Sequence, residues 1–74
     1  MSDIYEYRDH LIVTKSADGG RYIAEVYSFE MMKGYLQLPP DPRLRQEVLI
    51  GDSAKIAYAK GKSYVNQVIN EKAN

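Results

Sequence analysis

The chain has 74 residues, ten basic and ten acidic side chains, one histidine and no cysteine. That length sits near the lower limit for a self-sufficient core, and the composition excludes disulfides, thiolate metal sites and a histidine-rich metal centre as supports. The charge balance argues against a generic polyanion binder, and no apolar run approaches the roughly 20 residues that span a bilayer.

A single α+β domain over residues 1–74 is the expectation, and oligomerisation is the remaining route to added stability. Met1 to Glu6 lacks the basic and apolar segments of a signal peptide, so a cytoplasmic location is expected. Seven tyrosines stand against one phenylalanine and no tryptophan. Tyrosine suits half-buried sheet faces and interfaces, where the ring packs and the hydroxyl stays wet.

Residues 4–16 are rich in strand formers, from Ile4, Tyr5 and Tyr7 to Leu11, Ile12, Val13 and Thr14. They predict a first strand, with Asp9-His10 as a bend or as the true start. Asp18-Gly19-Gly20 is a tight-turn signal, because adjacent glycines permit positive φ. Residues 21–30 alternate, with Tyr22, Ala24 and Val26 on one face and Ile23, Glu25, Tyr27 and Phe29 on the other. Together these segments predict an antiparallel hairpin.

Residues 31–43 predict a loop, since Pro39, Pro40 and Pro42 remove three N–H donors within four positions. Residues 44–50 return to strand character. Gly51 ends that strand, and Asp52 or Ser53 is a natural N-cap for a helix over about 52–70. Ala54, Ala57, Tyr58, Gly61, Val65, Val68 and Ile69 form its apolar stripe. Gly61 costs roughly 1 kcal/mol of helix propensity relative to alanine, which close approach to a sheet would justify. The tail from Asn70 should fray. The predicted architecture is a three-stranded antiparallel sheet with one C-terminal helix on one face, β-β-β-α.

Two stretches, Asp18-Gly19-Gly20-Arg21-Tyr22-Ile23-Ala24-Glu25-Val26 and Ile50-Gly51-Asp52-Ser53-Ala54, resemble the partner-binding domain of the HicB-like antitoxin family. About two-thirds of the chain can be laid on that pattern. The resemblance implies the β-β-β-α fold and a protein partner of the toxin kind. The 30–43 loop is longer than the family's link, Lys55-Ile56 stands where the family places glutamates, and the family's DNA-binding segment has no counterpart in these residues. The fold also resembles part of a double-stranded-RNA-binding domain, though without its first helix or basic cluster.

His10 is the one side chain of a type that titrates near neutrality, but no motif ties it to a nucleophile, and an incidental role is favoured. Asp9, Asp18, Glu25 and Glu30 could pair as acids or hold a hard metal, yet turn and strand positions account for them. Gly19-Gly20 leads into a strand and so is not a phosphate loop. No cofactor, metal site or catalytic group is expected, and the chain is read as a non-enzyme. A small enzyme is a remote alternative.

One helix covers one sheet face, so an apolar second face should seek a partner. The expected partner-binding residues are Tyr27, Phe29, Met31, Met32, Tyr35 and Leu36. The leading expectation is a small non-catalytic protein–protein interaction module that forms a homodimer or docks a partner. The alternative is an RNA- or DNA-binding protein using Arg43, Arg45, Lys55, Lys60 and Lys62, although three lysines on a helix are more often a solvated face.

Overall fold

The computed structural model describes residues 2–32 and 40–73. It shows an α+β fold: a sheet of four antiparallel strands in the order β1-β2-β3-β4, followed by one C-terminal helix. The strands are β1 (Asp3–Tyr7), β2 (His10–Ser16), β3 (Tyr22–Ser28) and β4 (Glu47–Gly51), and the helix is α1 (Ala54–Ala73).

The fourth strand corrects the three-strand expectation. The segment read as one strand over 4–16 folds back on itself, pairing Asp3 with Thr14 and Tyr7 with His10. The turn is made by Arg8 and Asp9, whose φ angles are +48° and +63°. Two successive positive φ values are the mark of a type I′ hairpin turn, normally written with Asn, Asp or Gly. Arginine in that conformation is uncommon, which hides the turn from composition. The side chains hold it instead: His10 Nδ1–H donates to the Arg8 carbonyl (2.8 Å). Tyr7 Oη and Arg8 Nη1 both donate to Asn66 Oδ1, at 3.0 and 2.6 Å, tying the turn to α1.

The glycine turn lies where the sequence put it. Asp18–Gly20 is a short 3₁₀ turn, with Gly19 and Gly20 at φ +77° and +74°. It closes a β2–β3 ladder running from His10–Ser28 to Ser16–Tyr22. Before β4, Pro42–Leu44 form a second 3₁₀ turn, capped by the Asp41 side chain, which accepts from the Arg43 N–H (2.9 Å). That turn takes up the start of the expected 44–50 strand.

Ser53 is the N-cap of α1: its Oγ accepts from the Ile56 N–H at 3.2 Å. The helix continues through the expected frayed tail to Ala73. Ile12, Ala24, Val26, Ala57 and Val65 are the buried centre between helix and sheet, flanked by Tyr7, Tyr22, Leu49, Tyr58, Tyr64 and Ile69. The larger of these, Ile12, Val26 and Val65, are fully buried and stabilise by roughly 1.5–3 kcal/mol each. A Cβ on Gly61 would lie 3.0 Å from Ile12 Cγ2 and 3.5 Å from Ala24 Cβ, so helix and sheet meet closely at this glycine.

The far face of the sheet is not bare. Leu11, Val13, Tyr27 and Met32 form a second buried cluster there, with Phe29 and Leu44 against it. The chain on both sides of the 33–39 segment therefore lies over the face that the helix leaves uncovered.

Candidate functional site

Glu25 organises the covered face. It is buried on β3, yet ionic: Lys15 Nζ approaches its Oε1 at 3.1 Å and Arg45 Nη1 its Oε2 at 2.6 Å. Burial pushes the Glu25 carboxyl up, but hydrogen bonds from Arg45 and Lys15 outweigh it, and the net shift is downward from the ordinary value. Tyr27 Oη donates to Glu25 Oε1 at 3.4 Å. Burial, and then the adjacent Glu25 charge, raise the Tyr27 phenol above its ordinary range. Ser2, Pro40, Asp41 and Pro42 complete a cavity of about 510 Å³ over these groups. Every charge here has a partner within the chain, so the arrangement fastens the segment before β4 to the sheet.

This geometry separates the expected partner-binding residues. Tyr27 is 1% exposed and Met32 4%, both packed inside the chain, and Phe29 is half-buried against them. Met31 is turned outward, at 56% exposure. Tyr35 and Leu36 lie outside the described residues. The second face is apolar, but Met32 and Leu44 of the same chain supply much of its cover.

The basic residues are not gathered either. Arg43 is held by Asp41, with Nη2 to Oδ2 at 2.8 Å and Nε bonded to both carboxylate oxygens. Their pairing lowers the Asp41 carboxyl and raises the Arg43 guanidinium. Arg45 serves Glu25. Lys60 Nζ donates to the Ile50 carbonyl at 2.8 Å, whereas Lys62 Nζ sits 4.8 Å from the Tyr58 ring centroid on the β1 side of the helix. Lys55 is exposed. These cations point to different parts of the surface, and four of the five are already engaged.

The carboxylates considered for chemistry are likewise dispersed. Glu30 faces Lys72 at 3.6 Å. Among the described residues no group of three or more His, Cys, Asp or Glu side chains could hold a metal ion. No helix among them is long and apolar enough to cross a membrane.

The surface that stands out was not singled out from the sequence. Alongside β4, a groove of about 700 Å³ runs between the strand and α1, lined by Leu49, Ile56, Tyr64 and Val68, with Glu47 and Glu71 among its polar residues and Lys60 in its wall. Ile56 is 45% exposed, and across the strand Ile50 is 51% exposed. β4 is paired only with β3 among the described residues. It is thus a sheet edge with apolar side chains on both sides, whereas the β1 edge sets Asp3 and Glu6 beside its exposed Ile4 and Tyr5. Two signals in the sequence could have found it. Val48-Leu49-Ile50 is apolar at consecutive positions, and Ile56 stands off the main helical stripe.

Comparison with protein-family models, with curated proteins and with solved structures gives no match.

Proposed function

We propose that the chain is a non-catalytic protein–protein interaction module, HicB antitoxin-like, acting as a homodimer or by docking a partner protein. One observation carries the reading. Among the described residues the outer side of β4 has no strand partner, with exposed Ile50 on one side and the Ile56 groove on the other. Exposed sheet edges recognise proteins by adding a strand, with backbone hydrogen bonds giving affinity and flanking pockets giving specificity. The likeness of Asp18–Val26 and Ile50–Ala54 to the HicB-like pattern supports the same reading. So does the small size of the chain, which favours association.

The test is affinity capture with the tagged chain, beside an Ile50→Asp/Ile56→Asp variant, combined with sedimentation of the untagged protein. Self-association or recovery of a protein that the double variant loses supports the reading. A strict monomer at high micromolar concentration that captures no protein would sink it. Binding of RNA or DNA that weakens steeply with salt would favour the nucleic-acid alternative instead.

A further inference from the structure

We infer that the occupant of the β4 edge is a second copy of this chain, paired antiparallel about a two-fold axis at Leu49; this inference rests on the interaction reading above. An antiparallel ladder alternates residues that direct both backbone groups to one neighbour with residues that direct both to the other. On β4, Val48 and Ile50 have groups held by side chains. The Val48 N–H donates to Oε1 of Glu47 at 3.0 Å, and the Ile50 carbonyl accepts from Lys60 Nζ at 2.8 Å. A donor is covered by a carboxylate and an acceptor by an ammonium, two positions apart.

A two-fold at Leu49 sets Val48 of one copy opposite Ile50 of the other. Each side-chain-capped N–H then meets a side-chain-capped carbonyl, and backbone partners replace the caps. The displaced Glu47 carboxylate comes beside the displaced Lys60 ammonium of the second copy, so neither charge is left alone. The groove repeats the pattern on a larger scale. Lys60 stands at the end of the groove near Ile50, and Glu47 and Glu71 are its acidic groups. Because Glu71 lies three helical turns beyond Lys60, an antiparallel pair sets the basic part of each groove on the acidic part of the other. A two-fold also brings Ile50 and Ile56 of both copies to the seam, where their exposed apolar surface is covered. Within β1 the charged residues, Asp3 and Glu6, are both acidic, so that edge offers a second copy no opposite charge to match.

Charge reversal tests the register. Glu47 and Lys60 are both exposed, so Glu47→Lys and Lys60→Glu leave the fold intact, which circular dichroism verifies. In sedimentation equilibrium from micromolar to millimolar concentration, the wild type is expected to dimerise and each reversal to weaken dimerisation roughly tenfold or more. The double reversal, E47K with K60E, restores opposite charges across the axis and is expected to recover affinity to within about threefold. A dimer indifferent to both reversals, or one that the double variant does not rescue, overturns this interface while leaving an interaction role standing. A wild-type monomer throughout overturns it as well. The interaction role fails with it only if capture also recovers no protein.

Discussion

Arg45 Nη1 lies 2.6 Å from Oε2 of Glu25, joining a strand residue to one 20 positions later, beyond the proline-rich segment. With Lys15 on the other oxygen, this contact fixes the approach to β4 and hence the edge that the strand presents. Breaking a buried pair by removing one partner is costly, but Lys15 and Arg45 are partly exposed and can regain water. Glu25→Gln is therefore expected to cost about 1–2 kcal/mol in urea unfolding, with the far-UV spectrum unchanged. A variant as stable as the wild type would show that Glu25 does not fasten this segment.

The same carboxylate sets an acid dependence. Its folded-state pKa is lowered, so the unfolded chain binds the proton more readily. The contribution is fully present above the ordinary carboxylate value and is lost as pH falls through the folded one. Asp41 shifts in the same direction, but its pair with Arg43 is exposed and adds little. The stability gap between wild type and Glu25→Gln should be constant near neutrality and close progressively below about pH 4.5. A gap that stays constant into strong acid would contradict the linkage. Unfolding midpoints measured across pH on both proteins decide it.

Two glycines differ in what they tolerate. A Cβ at Gly51 would fall 2.6 Å from the backbone nitrogen of Ala57, so the start of the helix would have to move. At Gly61 the nearest atom is a side-chain methyl of Ile12 at 3.0 Å, and alanine also gains helix propensity. Gly51→Ala should cost about 1–3 kcal/mol and Gly61→Ala less than about 1 kcal/mol. Gly61→Val, with more bulk against buried Ile12, should cost about 2 kcal/mol or more. Thermal unfolding of the three variants gives the order, and an equal loss at both alanine sites would contradict it.

The central hairpin, the helix and its cap were legible because each rests on local chemistry. Glycines at 19 and 20 permit the turn, Ser53 caps α1, and Gly61 stands where helix and sheet touch. The first hairpin was hidden because Arg8 and Asp9 make its turn without glycine, held by contacts to His10 and Asn66 that no local window contains. The covered far face was missed for a related reason. The Glu25–Arg45 pair is long-range, and without it the apolar face of β3 reads as open. The β4 edge became visible only once the strand order gave Val48 and Ile50 no strand neighbour besides β3 among the described residues.

Pairing through β4 is read most directly in the concentration dependence of backbone amide signals. Two-dimensional NMR spectra recorded from about ten micromolar to one millimolar span the range of a modest self-association. A dimer paired through β4 should give shifts confined to β4 and the groove-lining face of α1, with slowed hydrogen exchange at Val48 and Ile50 as concentration rises. Spectra independent of concentration, or shifts centred on β1, would contradict it.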